Sequence, residues 1–187
     1  MTTIVVVRKG DTAVLAADSL TTFGTTRLAP AYDRHPQKVL VHGDSFIGIA
    51  GSAAHQLVLE NLVARVQDLD FHGKAAIYES FRKLHPLLKD EAFLNPKEEE
   101  DDPYESSQMT VMIANPSGIF AVYSMREVFE FDRFWAIGSG RGRSRWDEPR
   151  SSSSRYSPPC PTRTAAGSSI GTSSRTTSWS VKTIVSK

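Results

Sequence analysis

Two short runs of β-branched or apolar residues, 3–7 and 12–17, are separated by Lys9-Gly10-Asp11, a pattern that predicts a β-hairpin. A second pair, residues 39–42 and 45–50, flanks Gly43-Asp44 and predicts another hairpin. Its later run, Phe46-Ile47-Gly48-Ile49-Ala50, is apolar almost throughout, as a strand buried on both faces requires. Residues 19–36 between the pairs are polar and turn-rich and read as an irregular loop. The period then changes. Val58, Leu62, Val66 and Leu69 recur at spacings of four and three, as do Ile77, Phe81, Leu84 and Leu88, so two amphipathic helices are expected, each covering a sheet. Pro86 is expected to kink or shorten the second.

Strand patterning resumes at residues 109–114 and 119–123, joined by Asn115-Pro116-Ser117-Gly118, a strong turn signal. Residues 128–134 predict one more strand, running into Trp135-Ala136-Ile137-Gly138-Ser139-Gly140. The like-charge block Lys97-Glu98-Glu99-Glu100-Asp101-Asp102 reads as a solvated loop. Strands, two helices and strands again predict an α+β architecture of sheets with helices outside.

After Gly140 the chain changes character. Residues 141–187 contain no Leu, Phe or Met and are crowded with Ser, Arg and Thr, including Ser151-Ser152-Ser153-Ser154. Such a composition cannot bury enough apolar area to offset ordering entropy, so disorder is expected everywhere but residues 181–185. The reading divides the chain into a core, residues 1–140, and this Ser/Arg-rich segment. Charge divides it the same way. Residues 141–187 hold nine Lys+Arg and two Asp+Glu, +7; out of totals of 22 and 21 that leaves −6 for the remainder.

An acidic body gives no electrostatic reason to bind nucleic acid. One cysteine, Cys160, fits a reducing compartment. Neither a membrane-length apolar run nor a secretory signal occurs, so the expected setting is cytoplasmic, with no membrane partner. The five histidines, His35, His42, His55, His72 and His85, share no metal-ligand spacing; no metal site and no cofactor are expected.

Candidate chemistry begins at Met1-Thr2-Thr3. Removal of Met1 would give Thr2 a free α-amine beside its own hydroxyl, a nucleophile and a base in one residue. Further along stand Ala17-Asp18-Ser19, Gln37-Lys38-Val39, Gly48-Ile49-Ala50-Gly51-Ser52-Ala53-Ala54 and Ile137-Gly138-Ser139-Gly140. Five such strings in this order resemble the active site of proteasome β-subunits and the bacterial HslV peptidase, over about three-quarters of the chain. Asp18-Ser19 is the β-subunit form, which brings the chain nearest to the stand-alone bacterial proteasome homologues.

The resemblance implies a four-layer αββα sandwich of two antiparallel sheets, the N-terminal-nucleophile hydrolase fold, incomplete at its C-terminus. It implies threonine-type endopeptidase activity on unfolded polypeptides by homo-oligomeric stacked rings of six or seven subunits, with an ATP-dependent unfoldase as a conceivable partner. Thr2 would attack the scissile carbonyl and its α-amine would take the proton. Lys38 would help keep that amine neutral, Asp18 would hold Lys38, and Ser139 would hydrogen-bond the amine region. The Gly51 N–H would donate to the oxyanion, while Thr21, Ile49 and Ala53 would line the substrate pocket, where the apolar Ile49 and Ala53 favour an apolar side chain. An inactive structural ring subunit and a small-molecule amidase on the same fold are the alternatives.

Two departures stand out. Leu20 occupies a position where the family usually carries Arg. More seriously, the family continues past Gly-Ser-Gly with two helices, a strand pair and an Asp and a Ser that complete the site, none of which residues 141–187 provide; Asp147 comes too early. A Ser/Arg/Pro/Thr-rich run is what a shifted frame in a GC-rich gene produces. A frame slip just after Gly140 is therefore expected, against the alternative of a genuine basic tail. Such a chain would lack a helical layer and expose apolar surface.

Overall fold

The structure, a computed structural model, describes residues 2–23, 25–28, 30–33, 38–97, 101–139 and 179–185. The expectations of disorder or a shifted frame concern a segment that lies, apart from its last strand, outside the described residues.

The first hairpin forms as its alternation requires. Strands β1 (Thr3–Lys9) and β2 (Thr12–Asp18) pair antiparallel, with Ile4 opposite Ala17 and Lys9 opposite Thr12. Ile4, Val6, Ala13, Leu15 and Ala17 all point to one buried face. Residues 19–36 contain more order than their composition suggests. β3 (Thr21–Phe23) pairs with β4 (Thr26–Leu28), and a 3-10 turn spans Pro30–Tyr32. Three-residue strands are too short for alternation to register, although Thr21, Thr22 and Thr26 are β-branched. The second hairpin is β5 (Val39–His42) and β6 (Ser45–Ala50), followed by α1 (Ala53–Arg65) and α2 (Lys74–Asp90).

Helix α2 continues through Pro86. The N–H that proline lacks would serve the carbonyl of Arg82, and both residues are solvent-facing, so water can take its place. Strands β7 (Thr110–Asn115) and β8 (Gly118–Val122) follow. The turn between them is organised by buried Asn115. Its Oδ1 accepts from the N–H groups of Ser117 and Gly118 at 3.0 and 3.2 Å, and its Nδ2 donates to Ser45 Oγ and the Phe71 carbonyl. The expected strand 128–134 is two strands, β9 (Val128–Phe131) and β10 (Phe134–Gly138). A bend at Asp132-Arg133 carries the chain from one sheet to the other. The last described strand, β11 (Trp179–Val185), contains residues 181–185.

Two antiparallel sheets result, ordered β5-β6-β7-β8-β9 and β10-β1-β2-β11, besides the β3-β4 ribbon. Ile47, Ile49, Val111, Ile113, Phe120 and Val122 on one face of the first sheet pack against Leu59, Leu62, Ile77, Phe81, Leu84 and Leu88 of the helices. Its other face, with Ala50, Met112, Ala114 and Ile119, packs on Ile4, Val6, Leu15 and Ile137 of the second sheet. β6 is thus apolar because it is covered on both sides. The fold is α+β, an N-terminal-nucleophile-type sandwich of which the described residues supply one helical layer and both sheets. On the outer face of the second sheet Val7, Phe134 and Val181 are about half exposed, at 49, 50 and 57 %. No described helix is long and apolar enough to cross a membrane.

Candidate active site

Each candidate catalytic or oxyanion residue sits where a regular element begins or ends. Thr2 precedes β1, Asp18 closes β2, Lys38 precedes β5, Gly51 links β6 to α1, and Ser139 follows β10. Strand register brings these ends together. β1 lies between β2 and β10, with Ile4 opposite Ala17 and Thr3 opposite Gly138.

Asp18 and Lys38 are 7 and 8 % exposed, and the Lys38 Nζ donates to Asp18 Oδ2 at 3.0 Å. An ion pair this removed from water is tolerated only when its remaining hydrogen-bonding capacity is met. Here it is: Lys38 Nζ also donates to the Leu20 carbonyl at 2.6 Å, and Asp18 Oδ1 accepts the Thr3 N–H at 2.6 Å. The carboxylate therefore fixes both the ammonium and the backbone directly after Thr2. The contribution of position 20 to the pair is a main-chain carbonyl, which leucine supplies as well as arginine would.

Ser139 meets Thr2 through its main chain. Its backbone N–H donates to the Thr2 carbonyl at 3.1 Å. Gly138 makes the approach possible. It has φ +94°, and a Cβ built there would lie 2.0 Å from the Thr2 oxygen. Gly138→Ala should therefore displace Thr2. Overpacking costs about 1–3 kcal/mol and the left-handed backbone about 1–2 kcal/mol more. A loss of about 3 kcal/mol lowers the unfolding temperature of a chain this size by roughly 10 °C. Thermal unfolding of the variant checks this, and an unchanged midpoint would contradict the close approach.

Thr2, Leu20, Thr21, Thr22, Lys38, Ile49, Gly51, Ser52, Ala53 and Gln56 line one open cleft. It contains the candidate nucleophile, cation, oxyanion donor and all three pocket residues. Asp18 stands behind Lys38, and Ser139 behind Thr2. Sequence reading missed Ser52, Gln56 and the cap formed by His55. Helix α1 starts from Ser52, whose Oγ accepts the Ala54 N–H at 3.4 Å, while His55 Nδ1 accepts the Ser52 N–H at 3.1 Å. This reciprocal capping box usually has Glu or Gln at its third helical position, so histidine gave no familiar signal. Burial lowers the His55 pKa from its ordinary value.

No family model matches the chain, and no curated protein matches it. Solved structures do. The chain is 37% identical to Thiobacillus denitrificans BPH, a bacterial proteasome homologue, with a TM-score of 0.70. The same protein in complex with epoxomicin gives 36% identity and a TM-score of 0.69. Each comparison covers 75% of this chain and 73% of the other. Eukaryotic HslV from Trypanosoma brucei, at 23% identity and a TM-score of 0.53, shares the fold.

Proposed function

Because the chain belongs to the proteasome β-subunit and HslV-like family, and is a proteasome-type subunit, we propose that it is a threonine-type endopeptidase acting on unfolded polypeptides. The observation that carries the reading is Lys38, held between the Asp18 carboxylate and the Leu20 carbonyl in the cleft that also contains Thr2 and Gly51.

In this mechanism removal of Met1 frees the Thr2 amine. Thr2 Oγ attacks the scissile carbonyl as its proton passes to the amine, directly or through water. An α-amine ordinarily titrates near pH 7.7–8.0, and the neighbouring Lys38 ammonium favours its neutral, basic form. The oxyanion of the tetrahedral intermediate takes the Gly51 N–H, reinforced by the positive end of α1. Collapse expels the amine of the departing peptide, which takes a proton from Thr2, and leaves an acyl ester on Oγ. Water then hydrolyses the ester and regenerates the hydroxyl. Thr21, Ile49 and Ala53 favour a small or apolar side chain before the cleaved bond. Homo-oligomeric rings of six or seven copies, with clefts facing an inner chamber, would restrict access to unfolded chains.

Intact-mass analysis before and after incubation with epoxomicin, the compound bound by the Thiobacillus homologue, tests the proposal. The expected result is loss of Met1, followed by a mass gain that maps to the Thr2 peptide. Retention of Met1, or an unmodified Thr2 with no peptide hydrolysis, would overturn it and leave a structural subunit.

A further inference from the structure

The cap on α1 touches the main chain of the cleft wall. A Cβ built on Gly51 would lie 2.9 Å from His55 Nδ1, 3.3 Å from Met109 Cβ and 3.4 Å from the Gln108 carbonyl. The His55 ring and residues 108–109 together close the space where a Gly51 side chain would stand. The 108–109 side is itself braced. Gln108 adopts φ +51°, its N–H donates to Ser106 Oγ, and its side-chain amide donates to the carbonyls of Asn95 and Lys97. On the His55 side the turn is fixed by the helix cap, in which the Ser52 N–H donates to Nδ1. We propose that His55 is a positioning residue whose neutral imidazole locks the Gly51–Ser52 turn, and with it the direction of the Gly51 N–H, and that acid releases this lock.

The chemistry dictates the protonation state. Nδ1 can accept from Ser52 only when it carries no proton, which places the ring proton on Nε2. Protonating Nδ1 would turn the acceptor into a donor facing another donor. Two features oppose that charge: the ring is buried, at 9 % exposure, and it lies in the first turn of α1, where the helix dipole is positive. Gly51 and Ser52, which meet its Nδ1, carry no charge, and burial is the cause that shifts its titration. With the folded pKa below the unfolded value of about 6.5, the stabilisation is complete above pH 6.5. It is lost as pH falls through the depressed folded value. Any effect on catalysis rests on the proposed use of Gly51 as oxyanion donor; the lock itself does not.

Hydrogen exchange at the Ser52 amide of the full chain, corrected for the intrinsic pH dependence of exchange, reads the lock without requiring activity. His55→Asn places Oδ1 where Nδ1 stood and cannot titrate; His55→Leu removes the acceptor. Ser52 protection in the unmodified chain should fall about tenfold once the pH is lowered past the depressed His55 value. It should stay level in His55→Asn and already be low at pH 7.5 in His55→Leu. Peptide hydrolysis gives the second readout. In the unmodified chain kcat/KM should fall with a slope of one as the Thr2 amine protonates and steepen to two below the depressed His55 value; in His55→Asn the slope should stay at one. His55→Leu should lose about tenfold in kcat with KM little changed. Equal, pH-independent Ser52 protection in all three chains would overturn the inference, whatever the activity. The expected exchange pattern with no peptide hydrolysis would leave the lock standing and remove the peptidase reading instead.

Discussion

Thr2→Ala is expected to abolish peptide hydrolysis, by about four orders of magnitude or more, as loss of the attacking group does in hydrolases whose catalytic residues act as a unit. The fold should survive. The contact made by Thr2 is through its carbonyl, which accepts the Ser139 N–H, and alanine keeps that carbonyl. The variant should therefore unfold at the temperature of the unmodified chain while turning over no fluorogenic peptide with an apolar residue at the cleaved bond. Thr2→Ser, which retains a hydroxyl beside the α-amine, should keep part of the activity. Undiminished turnover by the alanine variant would remove Thr2 from the mechanism.

Lys38→Met should be the costliest change to stability. It leaves the Asp18 carboxylate 7 % exposed without its counter-charge. Breaking one side of a buried pair costs about 3–5 kcal/mol, because the remaining charge is uncompensated. Asp18→Asn combined with Lys38→Met removes both charges and keeps an oxygen for the Thr3 N–H, so most of that loss should be recovered. Activity should not return, since the cation proposed to keep the Thr2 amine neutral is still missing. Urea denaturation and peptide turnover of the single and double variants separate the two effects. A stable, fully active Lys38→Met chain would show that the pair serves neither purpose.

The expectation of a missing helical layer concerns a segment outside the described residues, and among these the second sheet carries apolar side chains on its outer face. Val7, Phe134 and Val181 stand on it about half exposed. The second helical layer and the closing Asp and Ser were expected from a region outside the described residues.

Much of the architecture was legible along the chain because it depends on local period. Alternation in residues 3–7 and 12–17, the doubly apolar run 46–50 and the four-and-three spacing in both helices each record which faces are covered. The candidate residues were legible through the resemblance of five short strings to a known family; Thr2, Asp18, Lys38, Gly51 and Ser139 each lie where a strand or helix begins or ends. What escaped had weak or misleading local signals. The β3-β4 ribbon is too short to show a period, and solvent can replace the N–H missing at Pro86. The split between β9 and β10 follows from their membership of different sheets.

By itself, then, the sequence determined the order of elements, the covered faces and the residue types Thr2, Asp18, Lys38 and Gly51 at their ends. Only the tertiary structure decided the partners: Asp18 with the Thr3 amide, Lys38 with the Leu20 carbonyl, Gly138 under the Thr2 carbonyl, and His55 against Gly51 and Ser52. The physical reason is direction. Strand register and the stacking of two sheets set where a side chain or main-chain group points, and all but the last of these contacts join segments distant in sequence. His55 is close to its partners along the chain, yet the space beside Gly51 is also closed by residues 108–109, which the pairing of Ala50 with Thr110 at the start of β7 brings there.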